Sequence, residues 1–109
     1  MTRFRIEIDA HVVDEHGQPW TDPETLARKS DEVMAELIRI NVDDPFVHAN
    51  LKNATVTMSL TVEKDTELDA LEHAVTSVRC AVHAVGGSTP GWERSFRHLR
   101  PVAEELQPA

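Results

Sequence analysis

Phe4-Arg5-Ile6-Glu7-Ile8-Asp9-Ala10-His11-Val12 and Ala54-Thr55-Val56-Thr57-Met58-Ser59-Leu60-Thr61-Val62 alternate apolar and polar side chains without a break. Successive side chains of a strand point to opposite faces, so this period of two predicts a pair of half-buried strands. The polar face of the first holds Arg3, Arg5, Glu7, Asp9 and His11, and that of the second Thr55, Thr57, Ser59, Thr61 and Glu63. Each strand is followed by apolar residues recurring at steps of three and four. The same switch from strand period to helix period occurs twice, which predicts two β-then-α units wrapped on one sheet.

Outward from the first strand, Val13 to Trp20 contains Asp14, Glu15, His16, Gly17 and Pro19 and predicts an exposed loop turning near His16-Gly17. Thr21-Asp22-Pro23-Glu24 reads as a helix start: Thr21 accepts from the backbone N–H at Glu24, Glu24 reaches back, and Pro23 loses nothing in the first turn. Leu26, Val33, Leu37 and Ile40 line one side of this helix, with Ala27, Met34 and Ile38 widening it enough to pack on both a sheet and a second helix. Asn41 to Pro45 ends it, Phe46 to Leu51 forms a short strand, and Lys52-Asn53 reverses the chain into the strand at 54–63.

Asp65 or Thr66 caps the second helix, along which Leu68, Leu71, Val75, Val78, Val82 and Val85 form a stripe that Gly86-Gly87 stops. On its flank, Ala70, Ala74, Ser77, Ala81 and Ala84 are small enough to admit another backbone, either the first helix or a partner chain. Ser88 to Trp92 reads as a loop, and Ser95 to Val102 as a weak last strand that Pro101 confines to an edge or a strand end. Residues 103–109 read as a frayed tail. The order β-α-β-β-α-β predicts an α+β ferredoxin-like sandwich, a four-stranded antiparallel sheet with two helices on one face. At 109 residues the chain has the length of one domain.

Nineteen Asp and Glu against eleven Lys and Arg give a net charge of −8. That balance opposes nucleic acid and anionic membrane as partners. Cations gather only at Arg94, Arg97, His98 and Arg100, with Arg3 and Arg5 able to lie beside them, as an anion patch, a solvated edge or intramolecular pairs with the acidic excess. The single cysteine, Cys80, excludes an internal disulfide and any CxxC metal or redox pair. The N-terminal residues lack an uninterrupted apolar region, and no run approaches the ~20 apolar residues of a membrane span. A cytoplasmic location is the expectation.

The polar sheet face is the main candidate surface, and its strand residues Arg3 to His11 and Thr55 to Glu63 include no aromatic side chain on which a base would stack. Thr55, Thr57, Ser59 and Thr61 suit solvent, a hydrogen-bonded contact between two sheets, or a small-ligand surface. His11 and His48 fall on strands that this topology separates by another, and His73 and His83 are ten residues apart, so helical metal-ligand spacing is missing. Cys80 projects opposite the apolar stripe with His83 three residues on, yet a nucleophile also needs a pocket and an orienting group. Gly86 to Gly91 follows a helix, where a phosphate would meet the negative end of the dipole. Trp20 and Trp92 lie at loops, either covering a core edge or lining a shallow pocket.

Ala81-Val82-His83-Ala84-Val85-Gly86-Gly87-Ser88-Thr89-Pro90-Gly91-Trp92, following the strand at 54–63, resembles small uncharacterised proteins of ferredoxin-like α+β type common in high-GC actinobacteria. The resemblance extends over most of the chain and implies no activity. The CxxC of the metallochaperones, the glycine loop and arginine of the acylphosphatases and the aromatics of the RNA-recognition motif have no counterparts here.

The leading expectation is a non-catalytic accessory domain, homodimeric or docked to a protein partner, using the Thr/Ser sheet face or the small-residue flank of the second helix. The candidate ligand or interface face comprises His11, His48, Thr55, Thr57, Ser59, Thr61, Trp20 and Trp92, with no catalytic residue, metal or cofactor assigned. The alternative is a small enzyme or ligand-binding protein of the dimeric α+β barrel kind, in which two open sheets enclose a cavity reached by His11, His48 or Trp20.

Overall fold

In the computed structural model Ile6 lies opposite Leu60 and Ile8 opposite Met58, so the two alternating strands pair antiparallel with their apolar faces in register. The structure describes residues 1–14, 16–85 and 96–106, with the backbone alone at 97–99. The elements are β1 (Thr2–Val12), α1 (Pro23–Arg39), β2 (Asp43–Asn50), β3 (Thr55–Lys64), α2 (Glu67–Val85) and β4 (Phe96–Glu105). The strands form one antiparallel sheet in the order β2-β3-β1-β4. This is the ferredoxin-like arrangement that the two strand-to-helix switches predict.

One sheet face is the core. Phe4, Ile6, Ile8, Ala10 and Val12 from β1 and Val56, Met58, Leu60 and Val62 from β3 are buried together with Leu26, Val33 and Leu37 of α1. Each large aliphatic side chain buried there contributes about 1.5–3 kcal/mol.

Asp22, not Thr21, caps α1. Its Oδ1 accepts from the Thr25 N–H at 3.3 Å and its Oδ2 from the Thr25 hydroxyl at 2.6 Å, with Pro23 as the first helical residue. A charged carboxylate is a stronger acceptor than a hydroxyl, and here each of its oxygens takes one of the two bonds from Thr25. These bonds, the hydroxyl's first and the backbone N–H second, hold the Asp22 carboxyl below its ordinary pKa. The loop before it turns as expected: Gly17 has φ +77°, its N–H reaches Asp14 O at 3.0 Å, and Asp14 Oδ1 accepts from the N–H groups of His16 and Gln18.

At the start of α2, Thr66 is the capping residue, its hydroxyl accepting from Asp69 N at 3.2 Å. The helix is rotated from the expected orientation. Ala70, Ala74 and Ala81 are buried with Val78, Val82 and Val85, whereas Leu68 is 65% exposed and Leu71 and Val75 are half-buried. At Ala70, Ala74 and Ala81 the small-residue flank is therefore an inside surface, because α2 lies against both the sheet and α1 and only short side chains permit that approach, while Ser77 is half-buried and Ala84 exposed. It offers no surface for a partner at those three alanines.

At the C-terminus the last strand runs through Glu105, and Leu106 N donates to Arg3 O at 2.8 Å. Residues 103–106 are thus held to β1 rather than frayed, and 107–109 lie outside the described residues. Pro45 and Pro101 occur in β2 and β4, the two edge strands. Both edges are irregular, with register shifts between Asp43 and Phe46 and, against β4, between Asp9 and His11.

Candidate functional site

Among the described residues, no helix covers the second sheet face. Its residues follow from the register in rows that cross β2, β3, β1 and β4. The central row is Phe46, Ser59, Glu7 and Val102; His48, Thr57, Asp9 and Arg100 lie on one side of it. On the other side, Thr61, Arg5 and Glu104 are aligned, with Asp43 and Asp44 at the β2 end. Arg3 and Glu63 are adjacent beyond them.

Arg5 organises one half of this face. Its Nη1 donates to the Asp44 carbonyl at 2.6 Å and to Thr61 Oγ1 at 3.1 Å, with Asp44 Oδ2 at 3.3 Å, and its Nη2 donates to Ser59 Oγ at 2.9 Å. The guanidinium reaches over β3 to both hydroxyls, and Ser59 and Thr61 are only 7% and 5% exposed although they point away from the core. A planar fork with several fixed donors can satisfy two hydroxyls and a carbonyl at once. Arg3 reaches Asp43 at 3.7 Å. Both arginines are engaged with the acids of β2, the intramolecular pairing expected as an alternative to an anion patch beside Arg100.

In the other half, the Thr57 hydroxyl donates to Asp9 Oδ1 at 2.7 Å. Asp9, Ala10, His11, Thr55, Thr57 and Arg100 line an open depression of about 240 Å3 where the register against β4 shifts. It is polar and shallow. His48 lies two strands from the β1 residues, stacked on Phe46 with ring centroids 6.5 Å apart.

Six of the eight expected face residues, His11, His48, Thr55, Thr57, Ser59 and Thr61, share this surface. Trp20 does not. It is half-buried against the core, with Nε1 donating to Asp22 O at 3.1 Å. Trp92 and the whole of the glycine-containing segment 86–95 lie outside the described residues. Arg94 falls there too, and the side chains of Arg97 and His98 are not described.

The face also carries groups that the sequence reading omitted. Phe46 is 52% and Val102 64% exposed, on the two edge strands at the ends of the central row. One aromatic side chain therefore does stand on this face, supplied by β2. Its signal was the alternation Phe46-Val47-His48-Ala49-Asn50, which Pro45 and Asp44 interrupt.

Cys80 and His83 are exposed on α2, away from both the core and the open face. Among the described residues no three His, Cys, Asp or Glu side chains gather as a metal site. No described helix is long and apolar enough to cross a membrane. Comparison with protein-family models, with curated proteins and with solved structures found no match.

Proposed function

We propose that this chain is a non-catalytic accessory domain that works by protein association through its open sheet face, as a homodimer or on a protein partner in the cytoplasm. The observation that carries the reading is the composition of that face. Hydroxyls that are satisfied by Arg5 and Asp9 present few unmet polar groups to desolvate, and Phe46 and Val102 offer exposed apolar area at its two edges. Protein contacts favour such a surface because these hydroxyls already have partners when water leaves.

A second reading rests on the depression lined by Asp9, His11, Thr55, Thr57 and Arg100. In a face-to-face dimer, two such depressions would enclose polar space for a small ligand, the geometry of a dimeric α+β barrel. Native mass spectrometry of the purified protein, repeated after denaturation, separates the two. A mass of twice the 12.2 kDa chain with nothing added supports association alone. An added mass that leaves on denaturation supports the ligand-binding reading.

A further inference from the structure

We infer that the open face pairs with a second copy of itself about a two-fold axis that runs perpendicular to the strands over the row Phe46, Ser59, Glu7 and Val102. The inference rests on the association reading and specifies its partner and geometry. Such an axis keeps each strand over its own copy and exchanges the two ends of the face. The row His48, Thr57, Asp9, Arg100 then meets Thr61, Arg5 and Glu104 of the second copy, with Asp43, the register partner of Thr61, and Asp44, which Arg5 holds, at the β2 end.

Every position in that exchange is complementary. Arg100 meets Glu104, Asp9 meets Arg5, the His48 imidazole meets the Asp44 carboxylate, and Thr57 meets Thr61. The leaning of the side chains strengthens the match. Arg5 lies over β3 between Ser59 and Thr61, and Asp9 leans toward β3 to accept from Thr57, so both charges reach the same strand on opposite sides of Ser59. Phe46 meets Phe46 and Val102 meets Val102, covering the exposed apolar groups.

The other axis that stacks two sheets face to face runs parallel to the strands and lays β2 over β4. It places Asp44 on Glu104 and His48 on Arg100, which sets acid against acid and base against base. Like-charge juxtaposition across an interface is costly, so the perpendicular axis is selected. Its repulsive contacts are Glu7 with its own copy and, two rows out from the axis, His11 with Arg3, fewer than the parallel axis sets along both edge strands.

The area suffices. Ten residues at about 3.3 Å and four strands at about 4.8 Å give a face of roughly 600 Å2, or about 1,200 Å2 for the pair, the lower bound of specific interfaces. Two sheets stacked in this way pack about 10 Å apart with their strands within about 30° of one another.

The test is charge exchange on β4, where Arg100 and Glu104 are exposed and their replacement leaves the core untouched. Sedimentation equilibrium should show a wild-type dimer, with Arg100→Glu and Glu104→Arg each weakening it on the order of tenfold or more, since each change occurs twice in a two-fold interface. An equimolar mixture of the two variants should re-form a heterodimer, and Glu7→Gln should tighten the wild-type dimer. Thermal melting of each variant confirms that it is folded. If Phe46→Glu dissociates the dimer but the charge variants fail to recombine, the two-fold is overturned and the face remains the interface. A dimer indifferent to Phe46→Glu and to both charge variants overturns the inference and the association reading together. A chain monomeric at every concentration overturns the self-pairing, and the association reading then rests on a different protein alone.

Discussion

Lys29 places its ammonium 3.4 Å from the carbonyl oxygen of Val85, tying the second turn of α1 to the last residue of α2. The side chain is almost wholly buried, and Glu32, one turn on, lies 3.5 Å away. A helix leaves its last carbonyls without intrahelical donors, and a cation there also meets the negative end of the dipole. Lys29→Ala should lower unfolding free energy by about 2 kcal/mol, through the lost charge-assisted bond and the lost packing of the lysine stem. Lys29→Met retains the packing and should cost less in a urea titration. Equal losses would remove the stem from the account.

Replacing Arg5 tests the internal fastening of the open face. Arg5→Ala leaves Ser59 and Thr61 without the donors that cover them and should destabilise by about 1–2 kcal/mol, near the lower range for bonds to a charged group because the site is partly solvated. Arg5→Lys should recover little of it. A point charge on a flexible stem cannot hold the Asp44 carbonyl and both hydroxyls together. Denaturant midpoints of the two variants decide this.

The orientation of α2 is open to a paired substitution. Ala74→Leu inserts bulk into a fully buried position and should cost about 1–3 kcal/mol. Ala84→Leu lies on the exposed side and should change stability by less than about 0.5 kcal/mol. Comparable thermal shifts for the two would mean that the helix presents a different face inward.

Asp22 predicts an acid-side response. Its carboxyl titrates below its ordinary value of 3.8 because the charged form accepts from Thr25. A group whose folded pKa is depressed adds stability that is present above the unfolded pKa and lost as pH falls through the folded one. Asp22→Asn should therefore melt at a lower temperature than wild type at pH 7, and the gap should narrow as the pH is taken below about 4. A gap independent of pH would make the cap's geometry, not its charge, responsible.

The alternation in β1 and β3 was enough to read the sheet, its two faces and most of the open surface, because a period of two leaves no freedom in which side chain points where. Periodicity served α2 less well. Its valines and alanines share nearly one arc, and whether bulk or smallness faces inward depends on how closely α1 approaches, a distance that no local pattern encodes. Arg5 was legible as a face residue but not as a clamp, since its partners Asp44, Ser59 and Thr61 lie 39 to 56 residues away. The irregular start of β2, where Asp44 has φ +50°, hid Phe46 from a reading based on clean alternation.

Pro45 and Pro101 give the sheet two rims that resist extension. An edge strand recruits another strand by offering a regular row of N–H and C=O groups, and each proline removes one N–H while each register shift disturbs the spacing of the rest. Growth by adding strands side by side, the route to fibrils and to open-ended filaments, is disfavoured at both ends of this sheet. The two-fold pairing proposed for its broad side would likewise close on itself after two copies, so concentrated solutions of this chain should hold small, finite particles rather than filaments.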